Sequence, residues 1–281
     1  MQNVFARTDL AAEASGRLAA EENGIKCKSL TLGGMKAELV SVVSDDAARK
    51  IDKPRGNYYT LYLEEYVNRR DVTFAEAARA VAELLRRMPP VSAGRRFLVA
   101  CLGNRAVTPD ALGPLTADGV LVTRHLKSSL PGDFAEFSEV SVIKTGVLGT
   151  TGIESAEEIR ALCRDVRPDC VIAVDALATG DLSRLCRNIQ ICDTGISPGA
   201  GVGNDRAAVN EAFLGVPVVA VGVPTVIDAS AFSEHELARG HFVTPRNIDE
   251  LVMSAAKLIA YGIDLALHPH LSVSDVDLLI E

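Results

Sequence analysis

Two stretches of this chain are apolar almost without a break, and each leads into an aspartate. The run Phe97–Leu102 is wholly apolar, and Cys170-Val-Ile-Ala-Val-Asp175-Ala-Leu-Ala178 is interrupted only by Asp175. A strand with one wet face alternates apolar and polar residues. A strand covered on both faces does not, so these runs belong in the middle of a parallel sheet. Between residues 97 and 223 they alternate with helical stretches, as parallel strands joined by right-handed crossovers do. The expected fold is therefore α/β, with a mostly parallel central sheet and helices on both faces. An N-terminal β-containing segment precedes it, with strands at 36–43 and 58–63. A chain of 281 residues can bury a sizeable core, and we read 1–281 as a single domain.

The first run ends at Gly103-Asn104, where the backbone turns freely, and leads to Pro109-Asp110. Proline fixes its own φ and biases Thr108 toward an extended shape, so Asp110 rides on a stiffened loop. An aspartate in that position can cap the helix that follows. Asp175 gives it a second meaning, because ligands of open α/β sheets bind outside the carboxyl ends of the strands. Two carboxylates in one cleft can share a proton and activate water. Sequence spacing alone does not bring Asp110 and Asp175 together.

The remaining elements follow from local signals. A helix is expected from Val72 to Met88, with Thr73 as N-cap and Glu76 at capping-box distance, stopped by Pro89-Pro90. Further helices are expected at 113–125, 153–166, 204–214 and 247–266, and strands at 140–143, 189–192 and 217–223.

Composition narrows the function. The net charge is −8 and no basic run is present, which argues against nucleic-acid binding. No stretch of eighteen apolar residues and no signal-peptide pattern is found, so no membrane partner is expected and the expected location is cytoplasmic. The six cysteines form no CxxC and have no histidine at zinc-ligand spacing. They read as small core hydrophobes, and neither a metal nor a cofactor is expected.

Several motifs compete for attention. Asp193-Thr-Gly195 matches the loop of pepsin-type proteases, but that fold is all-β and needs two such loops. Asp193 follows a strand, so it either lines the cleft or braces its own turn. Gly199-Ala-Gly-Val-Gly203 lacks the Lys-Ser/Thr of a phosphate-binding loop. Gly199 and Gly201 more simply shape the cleft floor and offer amides to a peptide carbonyl or an oxyanion. His125 has no serine or cysteine partner and reads as a packed or helix-terminal residue, with a general base as its functional alternative. Arg124 beside it can grip a carboxylate.

Arg7-Thr-Asp-Leu-Ala11, Gly103-Asn104 with Val107-Thr-Pro-Asp-Ala-Leu-Gly-Pro114, and Val122-Thr-Arg-His-Leu126 resemble the germination proteases of spore-forming bacteria. So do Val174-Asp-Ala-Leu-Ala178, Ile189–Ile196 with Pro198–Asn204, and Gly215-Val-Pro through Gly222–Asp228. The blocks run in one order through nearly the whole chain. The resemblance implies an atypical acid endopeptidase that degrades the small acid-soluble proteins of spore DNA in the spore core. It implies a homotetramer, a fold related to hydrogenase-maturation endopeptidases, and catalytic aspartates at Asp110 and Asp175. Asn104, Arg124, His125, Asp193, Gly199 and Gly201 are then cleft or supporting residues. Residues 1–6 stand where the family carries a zymogen propeptide, and cleavage is expected just before Arg7. Arg105-Ala106 departs from the larger aromatic–polar pair expected there. Two alternatives stay open: a metal-dependent maturation-type endopeptidase, and an inactive homologue that only binds acid-soluble proteins.

Overall fold

The computed structural model describes residues 7–16, 24–63, 73–203, 206–232, 238 and 240–280. The expected propeptide, residues 1–6, lies outside them. Among the described residues one mixed sheet has nine strands. They are β1 (Ile25–Leu32), β2 (Met35–Val42), β3 (Gly56–Tyr62), β4 (Arg96–Cys101), β5 (Glu139–Lys144), β6 (Cys170–Thr179), β7 (Asn188–Cys192), β8 (Val218–Asp228) and β9 (Phe242–Val243). Their order is β1-β2-β3-β7-β8-β6-β4-β5, with β9 on β8.

The apolar runs form the parallel heart, β5-β4-β6-β8. Successive residues of β4 point to opposite faces, and both faces are covered. Phe97, Val99 and Cys101 pack under the helices Phe74–Arg86, Leu112–Ala117 and Ile248–Leu267. Leu98 and Ala100 pack under Ser155–Val166 and Glu211–Leu214. This two-sided burial is why neither strand alternates. The chain leaves β4 for β5 on one side and returns past it to β6 on the other. The connecting helices Leu112–Ala117 and Ser155–Val166 therefore lie on opposite faces. That reversal is a topological switch point, and it opens a crevice between the carboxyl ends of β4 and β6.

The flanking strands are antiparallel. β1 and β2 form a hairpin through Gly33 and Gly34, both at positive φ, and β3 joins β2 to β7. β7 runs against β8 rather than with it. Only the short 3-10 turn Leu182–Arg184 lies between β6 and β7, and a parallel return needs a longer crossover, usually with a helix.

Local signals were met unevenly. Thr73 sits at φ −77 and ψ −10 and makes no side-chain cap bond, so the expected capping box does not close. Ser44 does cap Asp45–Ile51 by accepting the Ala47 N–H at 3.2 Å. The helix expected at 204–214 is reduced to Glu211–Leu214, capped by Asn210, with residues 204 and 205 outside the described set. The stretch 113–125 holds one short helix and the start of another, Arg124–Ser129.

Candidate active site

At the switch point lies a cleft of about 450 Å³ whose wall includes Asp9, Asp110, Asp175, Gly199, Gly201 and Thr225. The loop after β4 builds one side of it. Gly103 has φ +114, and a β-carbon there would collide with the Asp110 carbonyl. Only glycine lets the turn fold this tightly. The turn is closed by the Asn104 N–H, which donates to Asp110 Oδ2 at 2.8 Å and to the Asp110 carbonyl at 3.0 Å. Asn104 Oδ1 in turn accepts the Ala106 N–H at 2.9 Å. Thr108–Asp110 is a 3-10 turn containing Pro109. Asp110 does not cap the next helix; the cap position of Leu112–Ala117 is Ala111 and makes no side-chain bond. Its carboxylate faces the cleft instead.

Asp175 lies one residue beyond the last β4–β6 pair, Cys101 with Val174. The Leu102 N–H donates to the Val174 carbonyl at 2.8 Å and ties the Asp110 loop to β6 there. Gly113 packs so closely on Leu102 and the Val174 carbonyl that any side chain would push the loop away. Asp175 is only 4% exposed, and Oδ1 accepts the Ala176 N–H at 2.9 Å. Burial drives its pKa well above the usual carboxylate value, and the charges of Asp110 and Asp9 push in the same direction. Asp110 is also raised by burial, and the Asn104 amide counteracts that. The two aspartates share one cleft, and the charge of Asp110 adds to the upward push on Asp175.

Beyond Asp175 the sheet is irregular. Leu177 pairs with Pro224 and Ala178 with Val226, so Thr225 is an extra residue bulged into the cleft wall. Bulges of this kind re-aim side chains next to active sites.

Asp9 was not among the residues singled out from the sequence, yet it stands on the same wall. Its N–H donates to the Ala178 carbonyl at 2.9 Å, and its Oδ2 accepts the Ala178 N–H at 2.8 Å. Nothing local in Arg7-Thr-Asp-Leu10 signals this, because the partner strand is far away in sequence.

Of the other candidates, Gly199 and Gly201 are on the cleft floor. Asp193 lies elsewhere. It accepts the Asn57 N–H at 2.8 Å and Asn57 Nδ2 at 2.9 Å, fastening the end of β7 to β3. Arg124 and His125 line a separate depression of about 730 Å³ beside β5, with Lys127 and Glu139. Among the described residues, no group of three or more His, Cys, Asp or Glu side chains is placed to hold a metal ion.

Comparison with known proteins gives this cleft a context. Residues 8–238 match the family model described as germination protease. The germination protease of Clostridium perfringens strain 13 is 36% identical, with 99% of both chains aligned. That of Clostridium tetani is also 36% identical, over 96% of this chain and 98% of its own. Among solved structures, the NiFe hydrogenase maturation protease HycI of Thermococcus kodakarensis KOD1 resembles 65% of this chain and 98% of its own. That resemblance has 20% identity and a TM-score of 0.36. With the family model spanning most of the sequence and relatives aligned nearly end to end, the chain belongs to the germination protease family.

Proposed function

We propose that the protein is an endopeptidase of spore germination that hydrolyses small acid-soluble spore proteins with Asp110 and Asp175. The observation that carries this reading is the meeting of two aspartates, from separate βα units, in one cleft at the switch point. Their environments differ in a useful way. Asp175 is the more deeply buried and carries the stronger upward push, so it holds the proton. Asp110 accepts the Asn104 amide and is the ionised partner. Pairs of acids driven apart in this manner divide the roles of acid and base.

In the reaction, Asp110 takes a proton from a water molecule as its oxygen attacks the scissile carbonyl carbon. Asp175 gives its proton to the carbonyl oxygen, and a tetrahedral diol forms. In the collapse, one diol hydroxyl returns a proton to Asp175 and the carbon–nitrogen bond breaks. The leaving nitrogen takes the proton held by Asp110. Both carboxyls end in their starting states, and the net change is hydrolysis of one peptide bond.

The test is cleavage of a purified acid-soluble spore protein by Asp110→Asn and by Asp175→Asn, with thermal melts to confirm folding. Each variant should lose roughly 10²-fold or more of kcat, the scale of a lost general acid or base. Near-normal turnover by either folded variant would remove that residue from the mechanism.

A further inference from the structure

Arg124 and His125 lie away from the catalytic cleft, and the two-aspartate mechanism gives them no task. They stand beside an open edge of the sheet. Among the described residues β5 closes one end of the strand order, so its outer side has no partner strand. The Glu139 N–H donates to the Arg95 carbonyl at 2.8 Å, and the Thr145 N–H to the Cys101 carbonyl at 3.0 Å. The odd-numbered residues of β5 therefore bond inward to β4. Val140, Val142 and Lys144 turn their backbone groups outward. Val140 is already covered: Thr123 donates its N–H to the Val140 carbonyl at 3.1 Å, and its Oγ1 accepts the Val140 N–H at 2.9 Å. Val142 and Lys144 follow without such cover. Sheet edges are commonly blunted by a proline, a bulge or a charge. This strand has no proline and keeps an unbroken register with β4, and its Lys144 ammonium is drawn off to Asp118.

The open edge borders a depression of about 730 Å³, walled on its other side by Val122, Arg124, His125 and Lys127. Lys127 is tied down, donating to the Ala135 carbonyl at 3.2 Å. Arg124 and His125 are exposed, and neither side chain makes an ion pair or hydrogen bond among the described residues. Beyond the depression the edge runs on past Lys144 to Val147 and Leu148, which line the catalytic cleft. Asp118 is shared there by Arg105 and Lys144. Along this path Arg105, Arg124, Lys127 and Lys144 outnumber Glu139 and Asp118, on a chain whose net charge is −8.

We propose that the outer edge of β5 is a docking site for an extended acidic segment of the protein substrate, which adds to the sheet as a further strand and runs on toward the cleft. The inference rests on the peptidase reading of that cleft. The backbone groups of Val142 and Lys144 bond a peptide of any sequence, as in strand addition generally. Selection comes from Arg124, whose planar fork is free to take a carboxylate. A second copy of the chain fits less well. Pairing the same edge of two copies about a two-fold axis brings two cationic edges together, with Thr123 blocking the ladder at Val140 in each.

The test compares hydrolysis of a purified, intact acid-soluble spore protein with that of a short peptide spanning one of its cleavage sites. The peptide fills the cleft but does not reach the β5 edge. The readout is the ratio of the two kcat/KM values. Arg124→Glu, at an exposed side chain, lowers that ratio roughly tenfold through the KM of the intact protein, the scale of one lost charge-assisted hydrogen bond. Val142→Pro removes an outward N–H at an edge position, where proline is tolerated, and lowers the ratio in the same direction. If Val142→Pro does not melt cooperatively, Arg124→Glu decides alone. A wild-type ratio in folded Arg124→Glu would overturn the docking edge. A drop in that variant's mass by light scattering, at an unchanged ratio, would give the edge to a second copy instead. Activity retained in Asp110→Asn or Asp175→Asn would overturn the two-aspartate reading of the cleft and not the edge.

Discussion

Asp175 shows what the site costs at the scale of one residue. It is almost wholly buried, receives one amide hydrogen bond and sits among like charges. Its folded pKa stands above that of an unfolded aspartate, about 3.9. The folded protein therefore keeps a proton that the unfolded chain releases, and stability falls as pH rises from that value through the folded pKa. Asparagine mimics the protonated acid and cannot ionise. Asp175→Asn is expected to match the wild-type melting temperature near pH 3 and to exceed it at neutral pH, in melts across that range. A variant melting below wild type at pH 7 would contradict the upward shift. Asp264 is in a similar position away from the cleft. It is fully buried, Oδ1 accepts the Leu121 N–H at 2.9 Å, and burial raises its pKa well above the ordinary value.

At the scale of elements, the chemistry depends on a loop whose glycines allow no side chain. Gly103→Ala adds a β-carbon at φ +114 against the Asp110 carbonyl. The turn must open, and Asp110 moves with it. Because a displacement of about 1 Å can cost 10²-fold in rate, the variant should lose roughly that much of kcat with little change in KM. Steady-state kinetics on the acid-soluble substrate would check it. Elements also divide cleanly into those the sequence announced and those it did not. β4 and β6 were legible because burial on both faces leaves their central residues apolar, apart from Asp175. β1 was not, because Ile25-Lys-Cys-Lys-Ser-Leu-Thr-Leu32 is mostly exposed at a sheet edge and mixes polar with apolar residues. The direction of β7 was hidden because orientation depends on the connection, not on the strand's own residues. Asp110 and Asp175 could be picked out as strand-end acids, whereas their meeting needed the topology. Asp9 lies in a stretch that resembles the family, yet nothing local says that it reaches the cleft, since Ala178 and Gly201 hold it from across the fold. Asp193 looked like a cleft residue because it follows a strand, yet that strand's end is tied to Asn57.

At the scale of the whole molecule, the parallel heart places the cleft, between the loop after β4 and the carboxyl end of β6. The N-terminal segment crosses the antiparallel flank and pairs with β6 at Ala178. The proposed reaction uses water and two carboxyls, and activity should survive EDTA. Loss with the chelator and recovery on adding a divalent ion would move the reading to a metal-assisted hydrolase. The central claim is that Asp110 and Asp175 work as one unit, and the Asp110→Asn/Asp175→Asn double variant tests it most directly. Residues that act together lose their contribution once, so the double variant should retain the same residual kcat as either single variant. Losses that multiply in the double variant would contradict the account.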